Sequence, residues 1–250
     1  MNSLERAGRG RNFFSDQTIM SEFKKIPKKY HPKGFDILYE DRYIIVGNKA
    51  PGYLTVGAAW NRDDTIHCAL NACVRKGNAK SRKRVYVVHR LDQGTSGVLI
   101  FAKTEKAQEF LKDNWDSTQK TYYAVVHGRL VKKAGTISSY LIEDDEYKMH
   151  SSQNSREGKL AHTAYQVVQA TGKFSLVKID LLTGRKNQIR VHFADEGHPL
   201  VGDAKYGKAS TRYQRLALHA QAIAFTHPFS KTRVSFETKM PEYFRTLIGH

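Results

Sequence analysis

Short apolar runs, each a strand's length and each closed by glycine or polar residues, dominate this chain and restrict it most. Tyr43-Ile44-Ile45-Val46 ends at Gly47-Asn48, and Val85–Val88, Val98–Ala102 and Tyr122–Val126 follow the same style. Ala161–Val168, Phe174–Leu182, Leu218–Phe225 and Arg233–Thr238 continue it, with Gly128, Gly172 and Gly184 as punctuation. Runs this short, rich in β-branched and aromatic residues, read as strands. The β-branched run Val98–Ala102 reads as a central one.

Helical signals are fewer. Asn61–Arg84 reads as a helix leading into a mobile basic loop. Thr104 is placed to cap a helix carrying Glu105 in its first turn and Ala107, Phe110 and Leu111 at helical spacing. Gly184–Glu196 is predicted helical through Ile189 and Phe193, with Gly197-His198-Pro199 as its stop. A short helix is expected from Pro241, and Ser151–Lys159 reads as a loop. Strands outnumber helices and several adjoin without one between them. The predicted class is therefore α+β, with a central mixed or largely antiparallel sheet flanked by helices.

A core of this kind is within reach of 250 residues without disulfide or metal staples. Charge then narrows the partner. The chain holds 41 Lys and Arg against 24 Asp and Glu, a formal charge of +17, which points to a polyanion. The basic residues are spread along the whole chain and not gathered on one amphipathic helix, so a membrane surface is not the expected partner. No apolar stretch approaches the roughly 20 residues that span a bilayer. Residues 1–33 form a basic arm, flexible or loosely docked, without the apolar core of a signal peptide, and a cytoplasmic location is expected. Cys68 and Cys73 fit neither a zinc site nor a disulfide framework and read as reduced structural thiols.

Chemistry concentrates in Val88-His89-Arg90-Leu91-Asp92-Gln93-Gly94-Thr95-Ser96-Gly97-Val98-Leu99-Ile100. Asp92 stands between a basic residue and a Gly/Thr/Ser-rich turn that feeds a buried run, at the exposed edge of a buried element. Other patterns fail on inspection. Gly202–Ala209 nearly spells a phosphate-binding loop, but Ala209 occupies the position that needs a Ser or Thr for magnesium. His-Arg-Leu-Asp is one residue too long for a kinase catalytic loop, and the other kinase motifs are missing. No His pair has helix-borne metal spacing beside a carboxylate, and His89, His192 and His219 read as structural hydrogen-bonders. A glycosidase needs two cooperating carboxylates, and only one is defensible here.

The remaining motifs carry a resemblance. His89-Arg90-Leu91-Asp92 with Thr95-Ser96-Gly97 resembles the catalytic signature of the RluA-type pseudouridine synthases. Lys120-Thr121-Tyr122-Tyr123-Ala124-Val125-Val126-His127-Gly128 is similar to that family's Lys-x-Tyr-x-Ala-x-Val-x-Gly segment, and Lys159-Leu160-Ala161-His162-Thr163 with Tyr165 to its next strand. Thr183-Gly184-Arg185-Lys186-Asn187-Gln188-Ile189-Arg190 is like its Thr-Gly-Arg-x-x-Gln-Ile/Leu-Arg block. Gly197–Asp203 and Leu216–Ala220 follow in the expected order, so the likeness runs from about residue 37 to 240. Two departures stand out. Asn48-Lys49-Ala50-Pro51-Gly52 has its proline one place late, and Asn187 stands where the family often has histidine.

The N-terminal S4 RNA-binding module that some relatives carry is not recognisable in the sequence, and the resemblance implies an RNA pseudouridine synthase fold over residues 34–250. It implies an isomerase that needs no metal, redox group or nucleotide. Asp92 is expected as the nucleophile or ribose-side catalyst, and Arg190 as the cation that opposes the desolvation of a buried carboxylate and holds both its oxygens. Tyr122 is expected against the uracil face, its hydroxyl assisting proton removal from C5. Arg90 is the candidate to support a flipped nucleotide. His89, Thr95, Arg185, Gln188 and the basic segment Lys76, Lys80, Arg82, Lys83 and Arg84 are the expected RNA contacts, phosphate contacts setting affinity and salt dependence. Ribosomal RNA is favoured slightly over transfer RNA, acted on by a monomer. A non-catalytic RNA-binding or ribosome-assembly factor on the same fold stays open, as does a basic regulator of DNA.

Overall fold

The computed structural model describes residues 26–58, 61, 63–78, 80–152, 154–207 and 212–249. Residues 1–25 of the basic arm and Lys208-Ala209 of the loop-like motif lie outside the described residues. The eight residues that continue the arm are docked: Ile26 is buried, its N–H donates to Glu40 Oε2 at 2.8 Å, and Tyr30 packs on the core beside a single 3-10 turn at Lys28–Tyr30.

In chain order the elements are β1 (Phe35–Glu40), β2 (Ile44–Lys49), α1 (Ile66–Arg75), β3 (Tyr86–Val87), β4 (Ser96–Ala102), α2 (Glu105–Asp113), β5 (Gln119–His127), β6 (Ala134–Glu143), β7 (Met149–Ser152), β8 (Lys159–Ala170), β9 (Phe174–Leu181), α3 (Gln188–Asp195), β10 (Leu218–Thr226), β11 (Arg233–Glu237) and α4 (Glu242–Ile248). The strands form one sheet in the order β1-β2-β4-β10-β5-β9-β8-β6-β7, with β3 on β4 and β11 on β10. Every pairing is antiparallel except β4 with β10, so the expected mixed, largely antiparallel sheet is what forms.

The central strand is central because both its faces are apolar. Leu99 and Phe101 join one core with α1, β5 and β9, while Val98, Ile100 and Ala102 join a second with α2. Thr104 caps α2 as expected, its side chain accepting from the Ala107 N–H. Three expectations need correction. The helix in 61–84 occupies only Ile66–Arg75, because Thr65 caps its start and Lys76 turns left-handed at φ 52°. The helix expected from Gly184 begins only at Gln188, because Asn187 is left-handed at φ 51° and cannot continue a helix backwards. Finally, β1, β6 and β7 were not evident. The burial of β6 alternates between exposed and intermediate over most of its length, and its Ala, Gly, Thr and Ser residues supply little apolar signal.

Register places the site. Gly97 of β4 pairs with Ala220 of β10, which in turn pairs with Tyr122 of β5. A Cβ on Gly97 would collide with the Ala220 carbonyl, and its φ of +117° disfavours other residues, so glycine is what lets these strands close up. The turn before β4 and the middle of β5 thereby share one region of the sheet. Tyr122 also pairs with Ile179 of β9, whose end leads into the 182–187 segment and α3.

Candidate active site

The main chain of the Asp92 turn is held by both backbone and side-chain groups. Thr95 N–H closes it on the Asp92 carbonyl at 3.0 Å, and Gly52 N–H donates to the Gln93 carbonyl at 2.8 Å. Thr55 Oγ1 donates to Leu91 O at 2.8 Å and accepts from Leu91 N–H at 3.2 Å. Lys49, fully buried, donates from Nζ to Ala50 O at 2.9 Å and Gln93 O at 3.1 Å. Burial pulls the Lys49 ammonium down to about 8, and the charge of Asp92 opposes that shift. The late proline in 48–52 therefore leaves a turn that still pins the Asp92 loop.

The two oxygens of Asp92 are treated differently. Oδ2 accepts from Asn187 Nδ2 at 2.6 Å and from Arg190 NH1 at 3.1 Å. Oδ1 accepts no hydrogen bond among the described residues, and the side chain is 29% exposed. Arg190 thus does not grip both oxygens of Asp92, contrary to the expectation from the sequence. Its two-pronged contact is with Asp203, Nε to Oδ2 at 2.7 Å and NH2 to Oδ1 at 2.8 Å. Asp203 is completely buried and also accepts from the N–H groups of Lys205 and Tyr206. Burial works against the Arg190 charge, but the hydrogen bond and charge of Asp203, with those of Asp92, outweigh it and push its pKa up. A permanently charged guanidinium is thereby fixed beside Asp92.

Asn187 is the residue whose position sequence reasoning undervalued. Its amide donates to Asp92 while its Oδ1 accepts from Tyr206 OH at 3.1 Å, and that hydroxyl accepts from Met149 N–H. Asparagine tolerates the left-handed backbone found here better than most residues. Its departure from the family's usual histidine was the one signal. Asp203 gave a signal too, as the last residue of the Gly197–Asp203 motif, without a role attached.

Around Asp92 lies a cavity of about 410 Å³ lined by Arg90, Tyr122, Trp115, Lys120 and Arg185 among others. Tyr122 is buried and its hydroxyl has no hydrogen-bond partner among the described residues; burial and then the charge of Asp92 push its pKa up, so it stays a neutral phenol. Arg90 is exposed on the rim and makes no hydrogen bond or ion pair among the described residues. His89 also lines the cavity, but its Nε2 accepts from Ile100 N–H at 3.1 Å and its ring packs on Trp115. Burial, with the nearby Lys120 charge, holds His89 down at about 3, so it is a neutral structural imidazole.

The other expected RNA contacts divide. Arg185 lines the cavity and donates from Nε to Leu160 O at 3.2 Å. Thr95 lines it with a buried Oγ1 that has no partner among the described residues. Gln188 is corrected: its amide oxygen accepts from Thr183 Oγ1 and Arg185 N–H, and its nitrogen donates to His162 O and Thr163 Oγ1, so no position is left for a ligand. It instead ties the 183–187 turn to β8. Lys76, Lys80, Arg82, Lys83 and Arg84 lie apart from the cavity lining, between α1 and β3. Arg84 is already paired with Glu105 at 2.7 Å and Tyr86 OH at 2.9 Å. Among the described residues no cluster of His, Cys, Asp or Glu could hold a metal ion, and no helix is long and apolar enough to cross a membrane.

A carboxylate with one oxygen anchored and one free, an aromatic phenol and a basic rim in one cleft describe an enzyme acting on a polyanionic substrate. Known proteins say which. The sequence pattern of the RNA pseudouridylate synthase family matches residues 43–195, and the chain belongs to that family. It is 34% identical over 231 residues to ribosomal large subunit pseudouridine synthase D of Zymomonas mobilis, covering 85% of this chain and 71% of that one. It is 36% identical over 205 residues to the dual-specificity RNA pseudouridine synthase RluA of Vibrio vulnificus, covering 78% of this chain and 79% of that one. The structure of human RNA pseudouridylate synthase domain containing 4 superimposes with a TM-score of 0.67 at 26% identity, over 84% of this chain and 90% of that one. The protein is thus an RNA pseudouridine synthase of the RluA type, an isomerase on an α+β fold.

Proposed function

We propose that the protein converts specific uridines of structured RNA to pseudouridine with Asp92 as its catalytic residue. The observation that carries this reading is the unequal treatment of the Asp92 carboxylate in the cavity lining: Oδ2 is bound by Asn187 and Arg190, and Oδ1 accepts no hydrogen bond among the described residues. Pseudouridine formation breaks the bond from ribose C1′ to uracil N1, turns the base, and forms a bond from C1′ to C5. The C5 hydrogen leaves as a proton and N1 gains one, so no electrons are exchanged with a cofactor. Oδ1 acts on the ribose side, by attack on the sugar or by elimination, while Arg190 offsets the charge. Tyr122 lies against the uracil ring. It is a neutral phenol at rest, and its hydroxyl assists proton removal from C5.

The uridine must leave its stack to enter a cavity of this size, at a cost of a few kcal/mol. Arg90, exposed on the rim with its guanidinium uncommitted, is the group to support the flipped nucleotide or fill the vacated space. The name of the Zymomonas relative inclines the substrate towards ribosomal RNA. Asp92→Asn keeps the size and the hydrogen bonds but removes the charge, and should abolish tritium release from RNA labelled at uracil C5 while RNA binding persists. Tritium release by Asp92→Asn at the native rate would overturn the assignment. Mapping pseudouridines across total RNA with and without the protein identifies the target. Binding of RNA by the native protein with no pseudouridine on any transcript would instead favour a non-catalytic RNA-binding or ribosome-assembly factor.

A further inference from the structure

The β6–β7 hairpin ends in a turn whose tip is Tyr147, a tyrosine 72% exposed with a left-handed φ of 58° and linked to the cavity through Lys186, which lines it. A non-glycine residue in that region is strained and persists only where its surroundings impose it. Here they do. Asp144 Oδ1 accepts from the N–H groups of Glu146 at 3.0 Å and Lys148 at 2.7 Å, and Tyr147 N–H donates to the Asp144 carbonyl at 2.9 Å. Two ammonium groups then converge on the Tyr147 carbonyl, Lys186 Nζ at 3.2 Å and Lys205 Nζ at 2.9 Å.

Both lysines belong to the catalytic region. Lys186 lines the cavity and also pairs with Glu143 of β6, next to Asn187, which holds Asp92. The main-chain N–H of Lys205 donates to Asp203, the carboxylate that grips Arg190. The hairpin tip is therefore tied to the same segments that aim Asp92, and Lys186 Nζ stands 5.8 Å from the centre of the Tyr147 ring. All this order fixes the main chain from which an exposed ring projects, one that fills no core.

We infer that Tyr147 is a stacking platform for an unpaired RNA base beside the uridine in the cavity, with Lys186 and Lys205 setting the platform's position. This rests on the RNA isomerase reading above. Flipping a uridine removes the stacking partner of its neighbours, and an exposed aromatic ring linked to the cavity lining replaces it. Aromatic stacking accepts any base, so such a platform adds affinity without dictating sequence. An apolar contact with a protein would need bulk at this position, whereas stacking needs a flat ring.

The test uses total RNA labelled with tritium at uracil C5, taken from cells lacking the protein. Tyr147→Leu should raise the KM for this RNA about tenfold with a much smaller change in kcat, while Tyr147→Phe and Tyr147→Trp restore it to within about twofold of native. A KM for Tyr147→Leu within twofold of native overturns the inference, as does equal impairment by Leu, Phe and Trp. Filter retention of the same RNA by Asp92→Asn, with and without Tyr147→Leu, separates this from the catalytic reading. A retention difference of about tenfold supports the platform even if the native protein releases no tritium, in which case the isomerase reading alone fails. Equal retention overturns the platform whatever the chemistry.

Discussion

Asp92 is aimed by a side chain that no charge argument would single out. Asn187 links its carboxylate, 2.6 Å away, to Tyr206 OH, and the left-handed backbone at φ 51° points that amide into the cleft. Losing one hydrogen bond to a charged group is worth roughly 1.5–3 kcal/mol, or about 10–100-fold in rate if the bond matters in the transition state. Asn187→Ala should therefore lower kcat by that factor in single-turnover tritium release, with a much smaller effect on RNA retention. An unchanged kcat would leave Arg190 as the sole aim of the carboxylate. Asp92, Tyr122 and Arg190 were singled out by the likeness to the family's motifs, and the fold brings all three to the lining of one cavity. The pairing of Arg190 with Asp203 was not legible in the sequence, because a guanidinium beside two carboxylates can grip either, and only packing decides which is buried.

Among the elements, the joint between β4 and β10 is the critical one, since the site depends on its register. His219 bridges it, with Nδ1 on Ser96 Oγ at 2.9 Å and Nε2 on Thr238 Oγ1 at 2.8 Å. Burial first, and the Arg215 charge second, hold this imidazole down to about 4; His192, among α3, β6 and β8, is likewise held down to about 4, again mainly by burial. Between the ordinary value near 6.5 and about 4, the unfolded chain binds protons that the folded one refuses, so stability falls as pH falls through that window. Urea titrations at pH 7 and pH 5 should show this loss, and His219→Gln, which cannot gain the proton, should show a smaller one. Equal losses in the two proteins would mean that His219 does not contribute. Most strands were legible at this level because they are apolar on one or both faces. β6 escaped because its side chains are small and half-exposed, and it is defined by its ladder to β8 and not by its own composition.

Over the molecule as a body, a formal charge of +17 sets how the protein meets RNA before any base is read. Neutralising 6–10 phosphates would make RNA affinity fall by about 10³–10⁵ between 50 and 200 mM salt. Replacing Lys80, Arg82 and Lys83 together by Ala should flatten the dependence of log affinity on log salt by about one for each phosphate no longer neutralised. Arg84→Ala should change that slope little, because its guanidinium is already paired with Glu105. Slopes from retention of total RNA over a salt series check both; a triple variant with the native slope would remove this segment from the RNA interface.

Patterns local in the chain, and sums over it, were enough to reach the class of fold, the polyanionic partner and the family. Strand-length apolar runs, net charge and spaced motifs survive being read in one dimension. Four features emerged only from the folded molecule: Tyr122 faces the Asp92 turn through the register of β5, β10 and β4, Arg190 grips Asp203, Asn187 holds one oxygen of Asp92, and Gln188 is saturated by the fold. Hydrogen-bond partners and strand registers are chosen among residues distant in sequence. Burial makes an unpaired polar group costly, so each choice is settled only when all the neighbours are in place.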